Sequence, residues 1–399
     1  MVNNISFLQK EQCCGCKMCA DACPKQCITY KEDSEGFFYP VVDGSTCVDC
    51  GKCVSLCPEL NPVKNPEQKL VYACYSKDEE THYKGSSGGV FAQIARHVLN
   101  QNGKVWGAAF DDNLQLKHIP VTCEDDLIPL FKSKYLQSNC ASIYKQIKDD
   151  LKQGILTLFC GTPCQCNALK NYVGHKLLEN LVLIDFVCHG VPSQQLFNQM
   201  INWLEEKENG KITNFTFRQK GEKHLQAYSY VLYKNGKTKI KKGLHYQNPF
   251  YFGFQKHITL RPSCYNCKWS NITRCSDITL GDFWGIEKYS FMPKDKGVSM
   301  ILTNTSRGCE LFSSVSDSLE YEKYPVHYAT ENNGCLVNST KEPKERSQFF
   351  KDLENQNFDY MVNRYLKSKR QYVFDFYYAI PTPIRKIVRK IMDKKVKYE

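Results

Sequence analysis

Between Cys13 and Cys57 the chain carries ten cysteines, and eight of them form one pattern written twice. Cys13, Cys16, Cys19 and Cys23, followed by Pro24, return 34 residues later as Cys47, Cys50, Cys53 and Cys57, followed by Pro58. Three thiolates at this close spacing can cover one face of a compact metal cluster. The fourth, stiffened by its proline, reaches across to a second cluster. Zinc sites instead pair two short cysteine knuckles across a longer loop. A segment of about 60 residues buries too little apolar surface to be very stable alone, so metal is expected to staple it.

The pattern C-x2-C-x2-C-x3-C-P is the arrangement of two-cluster bacterial ferredoxins. It predicts one 4Fe-4S cluster on Cys13, Cys16, Cys19 and Cys57. A second falls to Cys47, Cys50, Cys53 and Cys23. Cys14 and Cys27 stand outside the pattern and read as incidental.

The full sequence of 399 residues holds 22 cysteines, with 42% hydrophobic and 24% charged residues, an ordinary composition for a folded protein apart from its sulfur. No run approaches the roughly 18–20 consecutive apolar residues of a membrane span. Met1 to Lys10 has no apolar core after a basic start, so no secretory signal is expected. So many thiols in a reducing cytoplasm point to metal or redox work. Net charge is +11, unevenly spread. Residues 1–60 hold five lysines against eight acidic residues, whereas Arg385 to Lys397 holds seven basic residues against Asp393. Charge concentrated in one tail argues against a nucleic-acid-binding body.

The Pro- and Asn-rich stretch from Asn61 to Pro66 reads as a linker closing a ferredoxin domain over 1–60. Beyond Leu70 the pattern is mixed α/β. Strands are expected at Val71–Tyr75, Lys104–Phe110, Ile155–Phe159, Leu181–Val187 and Val298–Thr303, and helices at Gly89–Asn100, Ile143–Leu151 and Gln194–Lys207. Asn235-Gly236 between Tyr228–Tyr233 and Thr238–Lys242 is a hairpin signal. The body divides into parts over 70–150 and 151–335, followed by a charged, helical extension over 340–399 expected to pack on the outside.

Four segments of the body carry chemistry. Gly85-Ser86-Ser87-Gly88-Gly89 precedes a helix, where free backbone N–H groups can cradle an anion or simply cap the helix. Phe159-Cys160-Gly161-Thr162-Pro163-Cys164-Gln165 turns from a buried strand into a helix. Asp185-Phe186-Val187-Cys188-His189-Gly190 ends the next strand, and strand ends are where α/β proteins build sites. The last segment, Arg261 to Gly285, contains Cys264-Tyr265-Asn266-Cys267, Cys275 and Gly281-Asp282-Phe283-Trp284-Gly285. A C-x2-C pair needs partners to hold metal, and Cys164 and Cys188 are candidates. The bland alternative is buried structural thiols.

Two ferredoxin motifs, GSSGG, Ser133-Lys134-Tyr135, GTPCQ, DFVCHGVPS, RPSCYNC and SDITLGDFWG in this order resemble the beta-subunit family of coenzyme F420 hydrogenases and dehydrogenases. The resemblance covers roughly residues 10–310. It implies a flavoprotein with FAD and a further 4Fe-4S cluster in the body, held by Cys164, Cys188, Cys264 and Cys267, with Cys275 the rival for one place. It implies that Ser86, Ser87, Gly88 and Gly89 cradle the FAD phosphates, with Lys134 nearby. Gly281, Asp282 and Phe283 would then line the flavin, with Phe283 or Trp284 as a stacking surface.

His189, beside Cys188, is a candidate hydrogen-bond donor to cluster sulfur or proton relay, or else is satisfied by a backbone carbonyl. A flavin beside three clusters converts single electrons into two-electron chemistry. The leading expectation is therefore an oxidoreductase taking electrons from ferredoxin or another redox protein to an organic substrate or the deazaflavin coenzyme. Bacterial relatives encoded with polysaccharide-synthesis enzymes suggest a surface-polysaccharide precursor as that substrate. The alternative is an electron-transfer subunit with no substrate of its own. Ile384, Ile387, Val388, Ile391 and Met392 share one helical face among basic residues. This tail is expected either to lie on the anionic inner face of the membrane or to dock on the body or a second subunit.

Overall fold

The computed structural model describes residues 3–63, 70–220, 226–293 and 296–367. The cysteine repeat folds around a two-stranded antiparallel sheet, β1 (Ile28–Glu32) and β2 (Phe38–Val42), and two short helices. Helix α1 (Met18–Ala22) carries Cys19 and α2 (Lys52–Ser55) carries Cys53, so each copy of the repeat contributes one turn of helix. Its small core consists of Ile5, Ile28 and the cysteines themselves.

The body is one eight-stranded mixed sheet. In chain order its strands are β3 (Leu70–Ser76), β4 (Lys104–Phe110), β5 (Leu116–Val121), β6 (Thr157–Cys160), β7 (Leu181–Phe186), β11 (Ile278–Asp282), β12 (Ser299–Thr303) and β13 (Leu319–Tyr324). Their spatial order is β13-β3-β12-β11-β7-β6-β4-β5. Strands from both sides of residue 150 interleave in it. The central run β4-β6-β7-β11 is parallel, with antiparallel strands at both sides. β7 is buried on both faces from Leu181 to Asp185, as a central parallel strand requires. Parallel strands end on the same side, so the segments after Cys160, Phe186 and Asp282 all emerge together.

Helices α3 (Glu79–Lys84), α4 (Val90–Leu99), α5 (Ile143–Lys152), α6 (Pro163–Val173) and α7 (Gln194–Glu208) connect these strands. Helix α4 buries Val90, Ile94, Ala95 and Val98, the stripe its sequence spacing predicts. Ile155 donates its N–H back to Asp150 O at 3.1 Å, which holds it in the turn after α5 and delays β6 to Thr157. A separate sheet of β8 (Lys211–Lys220), β9 (Gln226–Lys234) and β10 (Lys237–Leu244) leans on α7. Asn235 and Gly236 have φ of 52° and 73°, the pair of positive values a type I′ hairpin demands.

The ferredoxin domain is seated on the body through polar contacts. Asp21 accepts from the backbone N–H of Ser142 and Tyr144 at 3.1 Å each, capping α5 from another domain. Tyr144 donates to Cys16 O at 2.8 Å, and Arg346 grips Glu35. After α8 (Pro249–Gln255), α9 (Ser306–Val315) and α10 (Val326–Glu331), the chain ends its described part with α11 (Arg346–Asn355) and α12 (Phe358–Arg364). These last helices do not merely coat the surface: Phe349 and Met361 are fully buried beside Phe197 and Met200 of α7. The basic amphipathic segment from Ile384 lies outside the described residues. No helix among the described residues is long and apolar enough to cross a membrane.

Candidate functional site

Among the described residues, three thiol-lined cavities and one large cleft stand out. The first is walled by Cys23, Cys47, Cys50 and Cys53, the second by Cys13, Cys16, Cys19 and Cys57. The structure thus gathers the two sets that the crossed ferredoxin pattern predicts, including the exchange of Cys23 and Cys57 between copies. In the first, Asn4 donates to Cys47 Sγ at 3.6 Å.

The third cavity lies where the parallel strands of the body end, and Cys164, Cys188, Cys264 and Cys267 face it. Cys164 enters from the first turn of α6, where Gln165 Oε1 accepts the Thr162 N–H at 2.9 Å and fixes the turn. Gly190 has φ of 124°, and a Cβ there would lie 2.7 Å from Leu260 Cδ1 and 3.0 Å from Cys264 Cβ. Only glycine lets the loop after β7 pack this closely on the loop carrying Cys264. Cys275 is not in this wall. It is buried beneath α6, its thiol directed at Pro163 O at 3.9 Å.

Cys14 occupies a place its sequence did not announce, bordering both the second cavity and the third. Cys27 is not incidental either, its sulfur lying 3.3 Å from Cys23 Sγ. Position within a loop decides both placements, and no periodicity encodes it.

Sulfur donors of this number and burial fit iron–sulfur clusters. Among the described residues no three or more His, Cys, Asp or Glu groups converge on a single ion. The cysteines line small cavities instead, as a polynuclear centre needs. Burial holds the thiol of Cys188 well above its ordinary value, with Cys264, Cys164 and Cys267 adding to the effect. Burial likewise pushes Cys264 up to about 12. Their thiolates therefore require metal charge to form.

The large cleft, about 310 Å³, opens beside the third cavity. Cys188 and His189 border both. One end is polar: Ser86, Ser87 and Gly89 lead into α4, whose first-turn residues Val90, Phe91 and Ala92 line the wall. Ser87 Oγ is buried without a partner among the described residues. Lys134 reaches the backbone carbonyls of Pro129 and Phe131 at 2.7 Å each, and burial lowers it to about 7. Lys220 donates to Ser87 O at 2.5 Å and is also lowered by burial to about 7. Gly88 does not line the cleft. Its N–H goes to Ser299 Oγ at 2.8 Å, and a Cβ would lie 2.3 Å from Cys74 O.

The other end is aromatic. Gly281 and Asp282 line the wall, and Trp284 stands at the rim, 46% exposed, near Phe186. Phe283 turns the opposite way and is buried against Tyr324 in the core beyond β12, because successive residues leaving a strand face opposite sides. His189 stacks near Phe254, with ring centroids 6.1 Å apart, and burial lowers its pKa, opposed by Asp282. Its ring makes no hydrogen bond to a described residue. An anion cradle, cations and an aromatic rim in one cleft fit a dinucleotide flavin.

A cysteine-rich domain presenting two crossed thiol sets, seated on an α/β body with a third, defines an iron–sulfur protein of electron-transfer type. Residues 12–60 match the 4Fe-4S dicluster domain, and residues 156–327 match the C terminus of the coenzyme F420 hydrogenase/dehydrogenase beta subunit. The chain thus combines the C-terminal region of that beta-subunit family with a ferredoxin-type dicluster domain at its N-terminal side.

Among curated proteins it is 41% identical over 58 residues to NADH-quinone oxidoreductase subunit I of Pelobacter propionicus, covering 12% of this chain and 31% of that one. It is 32% identical over 69 residues to a ferredoxin of Rickettsia felis, covering 17% and 58%. The chain thus spans about a third and about three-fifths of these two relatives. Ketoisovalerate oxidoreductase subunit VorC of Methanothermobacter marburgensis is 30% identical over 59 residues, covering 14% and 75%. A chain of the xenon-derivatised F420-reducing NiFe hydrogenase complex from Methanosarcina barkeri aligns at 16% identity over 75% of this chain and 94% of that one, with a TM-score of 0.42.

Proposed function

We infer that this chain is an iron–sulfur flavoprotein oxidoreductase that moves electrons between ferredoxin-type clusters and FAD, and on to an organic two-electron substrate. One observation carries the reading: the second cavity, the third and the cleft share walls. Cys14 borders the second and third, and Cys188 borders the third and the cleft. A stabilised domain with no redox task has no need of such continuity.

Cys13, Cys16, Cys19 and Cys57 would hold one cluster, Cys23, Cys47, Cys50 and Cys53 another, and Cys164, Cys188, Cys264 and Cys267 the third. Ser86, Ser87 and the α4 N-terminus would bind the FAD diphosphate, with Lys134 and Lys220 supplying charge. Bound FAD would supply the exchange between single electrons and a two-electron transfer. His189 sits where a proton can be held between cleft and cluster wall. Trp284 and Phe186 flank the open rim, where substrate or deazaflavin would stack and water is displaced. Cys50 is exposed, which suits electron entry from a soluble ferredoxin at that end.

The substrate class we favour is a lipid-linked or surface-polysaccharide precursor, brought near by a membrane-contacting tail. Anaerobic purification with iron, sulfide and flavin analysis tests the cofactors, and turnover of a small acceptor with reduced ferredoxin tests the activity. Flavin bleaching without turnover of any acceptor would leave a pure electron-transfer protein.

A further inference from the structure

Arg261 is the most buried cation at the junction of the two domains. It begins the Arg-Pro-Ser-Cys segment of the body, yet its side chain reaches into the ferredoxin domain. Nε donates to Cys13 O at 2.7 Å and Nη2 to Phe38 O at 2.9 Å, while Nη1 donates to Gln137 Oε1 at 3.0 Å. Nη2 also lies 3.8 Å from Cys13 Sγ. The guanidinium stacks over Tyr39, 4.3 Å from the ring centroid, and the residue is 0% exposed. Gly15 makes room for it, since a Cβ there, at φ of 67°, would lie 2.6 Å from Nη1.

Every one of these acceptors is neutral. No carboxylate of a described residue pairs with Arg261 within 4 Å or accepts its hydrogen bonds; burial opposes its charge, and the groups that favour it are led by Cys13, followed by Tyr39, Cys14 and Cys264. A buried charge without a counter-charge is strongly disfavoured, and guanidinium cannot escape by losing its proton. Arg274 and Arg346, the other buried arginines of this region, differ in having Asp185 at 3.9 Å and Glu35 at 2.9 Å.

We propose that Arg261 is a positioning residue whose charge is balanced by the cluster on Cys13, Cys16, Cys19 and Cys57, so that it raises that cluster's reduction potential relative to the distal one and pins it against the body. Net charge and hydrogen bonds near sulfur are the protein's means of setting cluster potentials. A fixed cation favours the reduced, more negative state. Electrons entering at the distal cluster would then run downhill towards the body. This inference rests on the cluster assignment proposed above.

The test is an EPR-monitored redox titration of the full chain, purified anaerobically, with iron counted first. The relevant wave is the one that Cys13→Ala removes. Arg261→Gln and Arg261→Met remove the charge with and without amide donors, and Arg261→Lys keeps it without the fork. Both neutral variants should make reduction of that cluster at least tenfold less favourable, 59 mV for a one-electron couple. Arg261→Lys should recover most of the shift, and the distal wave should stay in place. An unmoved wave in iron-replete neutral variants overturns the proposal. So does a lysine variant displaced as far as the neutral ones. Loss of the cluster in the neutral variants alone supports charge compensation, whereas its loss in Arg261→Lys as well overturns it. If Cys13→Ala removes no iron, the cluster assignment itself fails, and the inference with it.

Discussion

Arg218, on β8, places both arms of its guanidinium on the carboxylate of Asp282, at 2.7 and 3.2 Å, where β11 runs out into the cleft. The pair ties the three-stranded sheet to the cleft wall, and both side chains are largely buried. Breaking such a pair from one side leaves a stranded charge.

Arg218→Met should therefore lower unfolding stability by about 3 kcal/mol or more, the range for removing one partner of a buried pair. Denaturant melts of the variant and of Arg218→Met/Asp282→Asn check it. The double variant should recover part of the loss, since the uncompensated carboxylate is gone. A single variant as stable as wild type contradicts the buried-pair reading.

Ser87→Glu places a negative charge where the flavin phosphates are assigned. Flavin recovered per chain should fall several-fold, with iron content close to wild type. Gly88→Val gives a different outcome, because its side chain meets Cys74 O of β3 rather than the cleft. It should lower the melting temperature whether or not flavin binds. Full flavin occupancy in Ser87→Glu would remove the phosphates from this turn.

The lysines beside that turn give the site a pH signature. Lys134 and Lys220 are both lowered to about 7 by burial, so they carry charge below that pH and lose it above. Flavin affinity, measured by fluorescence quenching, should be highest below pH 7 and weaken as pH rises through 7 to 8. Lys134→Met should flatten the profile. Affinity that rises with pH contradicts a cationic cradle.

Much of this was readable beforehand where local pattern and tertiary environment agree. β4 runs from Lys104 to Phe110 as its sequence indicates, and Asn235-Gly236 makes its hairpin because both residues tolerate positive φ. The crossed cysteine pattern brings Cys57 to Cys13 because spacing limits the geometry. Other features are set by long-range packing. β3 crosses to lie between β12 and β13, far from its sequence neighbour β4. The strand β8, broken by register shifts near Asn214 and Gln219, blurs its own alternation and escapes a period-two reading. The opposite facing of Phe283 and Trp284 depends on where β11 stops, a boundary the glycines on either side conceal. Arg261 reaches Cys13, and Cys14 the third cavity, only because two domains pack together.

The relay itself is tested by Cys264→Ala. Wild type should hold about twelve irons, four from each of three clusters, plus one FAD, and reduced ferredoxin should bleach the flavin. In Cys264→Ala, iron should fall to about eight while the ferredoxin-domain signals and the flavin remain. Stopped-flow reduction of that flavin by ferredoxin should slow by orders of magnitude, while dithionite still reduces it directly. Unchanged iron, or flavin bleaching at the wild-type rate, would contradict an electron path through the body cluster.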